Sequence, residues 1–128
     1  MAFAKLVFRI AGIYGLVVLA PNYFLEQQIG LNDPPAITHP EYFYGFTGVA
    51  IAWQVAFLVI SRDPARYRPL MLVAAILQKA PFAIAVPILF AQGRTSGVVL
   101  GFASVDLALG VLFAVAYWRT KETPTASS

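Results

Sequence analysis

The stretch GVVLGFASVDLALGVLFAVAYW, residues 97–118, decides the fold class of this chain. Asp106 is its single charged residue, and apolar residues would occupy every face of a helix formed by it. Similar apolar stretches occupy residues 6–24, 42–60 and 69–90. Each is close to the roughly 20 residues that a helix needs to cross about 30 Å of hydrocarbon. The sequence therefore predicts an all-α integral membrane protein, a bundle of four transmembrane helices.

The composition supports the same class. Of 128 residues, 59% are hydrophobic and 12% are charged, whereas soluble domains have roughly 45–50% and 25%. We expect residues 1–120 to form a single transmembrane domain and residues 121–128, rich in Thr and Ser, to be a disordered tail. The absence of Cys excludes disulfides, thiol nucleophiles, CxxC redox pairs and cysteine-ligated iron–sulfur clusters.

Basic residues are divided unevenly between the two sides of the predicted bundle. One side holds seven of them, and the other holds only Arg94; the seven are Lys5, Arg9, Arg62, Arg66, Arg68, Arg119 and Lys121. Positively charged loops remain cytoplasmic. We therefore expect a multi-pass protein of the bacterial inner membrane with both termini in the cytoplasm.

The connection at residues 26–41 is the longest between apolar stretches, and its three prolines and Gly30 predict an extended or turn-rich cap. His39, Glu41 and Asp33 lie close together in it. One His and scattered acids are a weak metal signal, so no metal site is predicted.

Two opposite charges lie deep in consecutive predicted helices. Lys79 is about 15 Å and Asp106 about 18 Å from the cytoplasmic ends of their helices, at 1.5 Å per residue. A lone charge at such depth costs roughly 2.5–3.5 kcal/mol, so an interior pair is the simplest arrangement. The pair is interpreted either as a salt bridge that holds the helix register or as a proton relay or polar handle for a ligand.

Other polar or bulky groups accompany this pair. Gln78 and Gln54 place amides in the predicted membrane interior, and Trp53 is too deep to be an interfacial anchor. Buried amides are more often contacts between helices than ligand contacts. Pro81 and Pro87 are expected to kink the third helix next to Lys79, and such a kink can open a cavity.

Small residues predict faces on which helices approach closely, either inside the bundle or against another protein. In the fourth helix a G-x-x-x-G spacing continues along one face, formed by Gly97, Gly101, Ser104 and Ala108. The first two helices each have a pair of glycines on one side, Gly12 and Gly15 in the first and Gly45 and Gly48 in the second.

The turn between the second and third helices contains Arg62, Arg66 and Arg68. Anionic lipid headgroups are its expected partner, with a protein subunit as the alternative. Nucleic acid is not expected as a partner, because the loop is too short.

The single His lies in a loop, so a bis-His haem is excluded. Catalysis is not indicated, and would depend on Lys79, Asp106 and nearby amides.

Several short segments together resemble small four-helix bacterial membrane proteins of the DoxX-like group. They are Arg66-Tyr67-Arg68, Leu77-Gln78-Lys79, Asp106-Leu107 and Leu112-Phe113. The resemblance covers the second to fourth helices. It implies an inner-membrane bundle with a role in quinone-linked oxidation or oxidative stress, and it marks only Lys79 and Asp106 as positions of interest.

Three functions remain open at this point. The first is a non-catalytic accessory or structural subunit, bound to other membrane proteins or to copies of itself, with no cofactor. The second is a redox-accessory protein that binds a quinone or lipid at Lys79 and Asp106. The third is an oligomeric proton-coupled transporter that uses Asp106.

Overall fold

The computed structural model describes residues 1–32 and 35–121. Helices account for 86% of it, and the described residues contain no strand. This confirms the all-α prediction. The tail that was expected to be disordered lies outside the described residues apart from Lys121, as does Asp33.

The helices are named in chain order: α1 (Ala2–Leu19), α2 (Glu26–Asn32), α3 (Pro40–Arg62), α4 (Arg68–Ala91) and α5 (Gly97–Lys121). A 3₁₀ turn, Ala20–Phe24, extends α1. Four helices are long and apolar enough to span a membrane, namely extended α1, α3, α4 and α5. They are longer than the predicted stretches at most ends, because backbone hydrogen bonding continues into polar flanking residues that a hydropathy pattern leaves out.

The α2 helix corrects the expectation of an extended or turn-rich segment after residue 26. The described prolines of this connection, Pro35 and Pro40, lie beyond the end of α2 and therefore do not interrupt it. Glu26 lies in its first turn, where a negative charge is favourable, and Gln28 Nε2 donates a hydrogen bond to Asn32 Oδ1 at 3.0 Å.

The α1 helix lies between α3 and α5, and α5 also packs along α4. Three buried phenylalanines join these helices. The Phe8 ring is stacked on Phe113 with centroids 4.2 Å apart, and Phe57 meets Phe113 edge-on at 4.9 Å. We call the end of the bundle that holds the α3–α4 turn the basic end and the opposite end the α2 end.

Glycines permit a close approach of α1 to α3. A Cβ atom on Gly12 would lie 2.8 Å from the carbonyl oxygen of Gln54, and one on Gly15 would overlap the Gln54 side chain. On α3, a Cβ atom on Gly48 would lie 3.5 Å from the Tyr23 hydroxyl, and one on Gly45 would meet no atom of the described residues within 4 Å.

The small face of α5 is different, because it has no neighbour among the described residues. A Cβ atom on Gly97 or Gly101 would meet no atom within 4 Å, and Ser104 and Ala108 are exposed. The G-x-x-x-G spacing of α5 therefore does not serve packing within the described chain.

The α4 helix contains a π-helical segment, Val73–Lys79, directly before Pro81. At its end the Ala80 amide donates to the carbonyl of Ala75, five residues back. In a regular α-helix the Leu77 carbonyl would accept a hydrogen bond from residue 81, but Pro81 has no amide hydrogen to donate. Its ring would also clash with that carbonyl. The widened turn ends at Lys79, and π-helical segments of this kind are frequent at functional sites.

Candidate functional site

Lys79 and Asp106 form an ion pair between α4 and α5, with Lys79 Nζ 3.1 Å from Asp106 Oδ1. The Lys79 side chain is only 5% exposed and that of Asp106 is 21% exposed. Lys79 Nζ also lies 5.4 Å from the centroid of the Phe57 ring, within the range of a cation–π contact. The cation is therefore enclosed by α3, α4 and α5, whereas the carboxylate keeps an accessible surface.

A cavity of about 530 Å³ extends from this ion pair to the α2 end of the bundle. Its walls are mainly aliphatic and aromatic, and they come from every long helix. Apolar lining residues include Val18, Leu19, Phe43, Phe46, Phe82, Val99 and Phe102. The volume lies within the roughly 300–1,000 Å³ that is typical of small-molecule sites.

Five of the seven polar lining residues lie at the deep end of the cavity, whereas Asn22 and Asn32 lie at the α2 end. Tyr14, Gln54 and Gln78 line the deep end together with the ion pair. Gln54 is buried, and its Nε2 donates to the Ala50 carbonyl at 3.0 Å. Gln78 Oε1 is buried and accepts no hydrogen bond from the described residues. A buried acceptor without a donor costs about 1–3 kcal/mol, and this oxygen is covered by its neighbours rather than open to the cavity.

The 3₁₀ turn, α2 and its flanking residues cover the other end of the cavity, where Leu25, Ile29 and Asn32 contribute to the lining. The Tyr44 hydroxyl of α3 donates to Glu26 Oε1 at 2.9 Å and so attaches α2 to the bundle. The sequence predicted a cap here but missed its helix, because no periodic apolar pattern marks a helix of seven residues.

Tyr14 is a further lining residue that sequence reasoning did not single out. A phenolic hydroxyl in the middle of an apolar helix was the available signal, because such a group favours a polar partner.

A second, shallower groove of about 210 Å³ lies on the other side of the ion pair, between α4 and α5. Lys79 and Asp106 line it as well, and its other residues are mostly small, such as Ala75, Ala83 and Gly110. The ion pair thus separates the interior cavity from a groove on the outside of the bundle.

The structure separates the other predicted site residues. Trp53 packs against the core, with its ring 6.2 Å from Phe57, and does not line the cavity. Arg62 and Arg66 are exposed at the basic end. Arg68 is half-buried, because its Nε donates to the Tyr117 carbonyl at 3.1 Å and its guanidinium lies 3.7 Å from the Tyr117 ring centroid.

The polar residues at the start of α3 are exposed. His39 Nδ1 lies 3.3 Å from Glu41 Oε1, and both side chains are about two-thirds exposed. Among residues 1–32 and 35–121, no group of three His, Cys, Asp or Glu side chains could hold a metal ion.

Comparison with family models, curated proteins and solved structures finds no significant match to this chain. The DoxX-like resemblance therefore stays a prediction. Function has to be inferred from the cavity and the ion pair at its deep end.

Proposed function

We propose that this chain is a non-catalytic, multi-pass protein of the bacterial inner membrane that binds a membrane-soluble amphiphile, of the quinone, isoprenoid or lipid class. The ligand headgroup lies at Lys79 and Asp106, and its apolar part lies against the cavity walls. The observation that carries the proposal is the cavity of about 530 Å³ with apolar walls and a charged pair at its deep end.

The distribution of polarity along the cavity supports an amphiphile rather than a wholly polar ligand. Phe43, Phe46 and Phe82 offer no hydrogen bonds, so a polar molecule would lose its hydration along these walls. The deep end is polar and includes the Tyr14 hydroxyl and the Gln54 amide. Apart from Asn22 and Asn32 at the α2 end, the walls beyond the deep end are apolar, so a ligand with one polar headgroup and an apolar remainder matches this distribution.

The DoxX-like resemblance favours the same proposal. It implies a role near quinone-linked oxidation, and the two positions that it marks, Lys79 and Asp106, are the charged residues of the cavity. The proposal assigns no catalytic step to them.

Purification of the full-length protein in mild detergent, followed by native mass spectrometry and extraction of bound small molecules, tests the proposal. Ala50 is 7% exposed and lines the cavity, whereas Ala52 lies on the exposed face of the same helix. We expect the wild-type protein and an Ala52→Leu variant to retain an amphiphile and an Ala50→Leu variant to lose it. A wild-type protein without any bound amphiphile would contradict the proposal.

The membrane orientation is proposed from the charge distribution, with the basic end in the cytoplasm. Because the chain has no Cys, single-cysteine variants report on orientation without background labelling. Gln27 in α2 and Ala65 in the α3–α4 turn are both exposed. We expect an impermeant maleimide to label Gln27→Cys in spheroplasts and Ala65→Cys only after lysis; the reverse result would refute this orientation.

An accessory-subunit role is the second candidate, and the bare small face of α5 favours it. In this role the face contacts another membrane protein or a second copy of the chain, while exposed Arg62 and Arg66 contact anionic lipid headgroups. A Gly101→Leu variant should then lose a partner that co-purifies with the wild-type chain at fixed stoichiometry. A wild-type chain that purifies as a lone monomer would count against this role.

A further inference from the structure

The charges in the cavity are balanced. Lys79 and Asp106 are its only charged lining residues within the described part of the chain, and their side chains are in direct contact at 3.1 Å. A ligand headgroup therefore meets a dipolar pair and no net charge. The remaining polar lining groups, such as Tyr14 and Gln54, are neutral amides or hydroxyls.

A charged headgroup would either break this pair or add an unbalanced charge beside it. An anion could reach the Lys79 ammonium only by displacing Asp106, because the Lys79 side chain is 5% exposed and is covered by Phe57 and Asp106. The displaced carboxylate would then face a second negative charge in a low-dielectric environment. A cation that shared the Asp106 carboxylate would bring a second positive charge next to the buried ammonium, with one carboxylate to balance both, which is also unfavourable in a low-dielectric environment.

A neutral hydroxyl group can bind without separating the pair. The Asp106 carboxylate is 21% exposed and, among the described residues, accepts a hydrogen bond only from Lys79, so it can accept another from a ligand hydroxyl. The accessible acceptor at the pair is therefore satisfied by a hydrogen-bond donor that carries no charge.

We propose that the cavity selects amphiphiles of the long-chain alcohol class, whose headgroup is neutral and bears a hydroxyl, over anionic and cationic amphiphiles of the same chain length. This proposal rests on the proposed function, because it names the headgroup class that the same cavity accepts.

Three probes with the same chain separate the headgroup classes: dodecan-1-ol, dodecanoate and dodecylammonium. Each is titrated against the full-length protein in nanodiscs of zwitterionic lipid, with its concentration expressed as mole fraction in the disc. Occupancy is read by native mass spectrometry and by the shift in melting temperature. We expect dodecan-1-ol to bind about tenfold more tightly than either ion, equivalent to 1.4 kcal/mol.

Charge-changing variants should reverse this preference. Asp106→Asn leaves the Lys79 ammonium without a counter-charge, so dodecanoate should become the tightest of the three probes. Lys79→Gln leaves the Asp106 carboxylate alone, so dodecylammonium should become the tightest. Asp63→Asn makes the same charge change at the exposed α3–α4 turn and should keep the preference for the alcohol. A reversal of preference cannot arise from a folding defect, which would weaken all three probes.

The outcomes distinguish the two proposals. If the wild-type protein binds dodecanoate or dodecylammonium more tightly than the alcohol, the headgroup inference is overturned, while amphiphile binding stands. If none of the three probes binds, the proposed function itself fails. The wild-type comparison decides the inference even if the Asp106→Asn and Lys79→Gln variants do not fold.

Discussion

Replacing one member of the Lys79–Asp106 ion pair should reduce the free energy of unfolding more than replacing both. The variants are Lys79→Met, Asp106→Leu and the double variant, each of which puts an apolar side chain of comparable size in place of a charged one. Removing one partner of a buried pair leaves the other charge without compensation, which costs about 3–5 kcal/mol.

The exposure of the charge that remains determines which single variant loses more stability. Asp106→Leu leaves a cation that is 5% exposed, so its loss should lie near the upper end of that range. Lys79→Met leaves a carboxylate that is 21% exposed and borders the cavity, so it is less completely desolvated and the loss of stability should lie near the lower end. The double variant should be within about 1 kcal/mol of the wild type or more stable, since buried ion pairs are often replaced by apolar residues without loss.

Equilibrium unfolding of the four proteins in mixed micelles measures the coupling energy, which should be at least about 3 kcal/mol. The pair of His39 and Glu41 is the control, because its atoms lie 3.3 Å apart but its side chains are 67% and 65% exposed. His39→Gln and Glu41→Gln should show coupling close to zero. Additive losses at Lys79 and Asp106 would refute the reasoning, since they would mean that neither charge depends on the other.

Two further predictions concern the contacts of α1 and α2. Gly12→Ala should lower stability by about 1–3 kcal/mol, because the new Cβ would lie 2.8 Å from the Gln54 carbonyl oxygen. Gly101→Ala should leave stability unchanged, because no atom of the described residues lies within 4 Å of its new Cβ; thermal melting compares the two variants. Tyr44→Phe removes the hydrogen bond to Glu26, so hydrogen exchange in α2 should become faster with little change in melting temperature. Equal losses for both glycines, or unchanged exchange in α2, would contradict these contacts.

The number and type of the long helices could be predicted from the sequence. Hydrocarbon-length apolar stretches need no tertiary information, because a helix satisfies its own backbone hydrogen bonds. The similar depth of Lys79 and Asp106 also follows from counting residues at a constant rise per residue. The distance of 3.1 Å between their charged atoms does not, because it depends on how α4 and α5 are rotated about their axes.

Other features of the candidate site could not be predicted. The α2 cover is too short for a periodic pattern, and its cavity-lining residue Ile29 has no distinguishing sequence context. Arg68 was grouped with Arg62 and Arg66, although its guanidinium is held over the Tyr117 ring. The sequence gives no sign that one arginine of this turn differs from the other two. Only the position of α5, which carries Tyr117, shows that Arg68 is held by a contact within the bundle.

The sequence by itself determined the all-α class, the four long apolar helices and the asymmetry of basic residues between the two ends. The tertiary structure decided which faces meet. In α5 the apolar residues surround the helix, so no amphipathic stripe indicates which side is inside. In the structure the G-x-x-x-G face of α5 has no neighbour among the described residues, whereas Asp106 faces Lys79. The sequence of α5 did not indicate either orientation. Close contacts between helices fix those rotations, and with them the cavity at the ion pair.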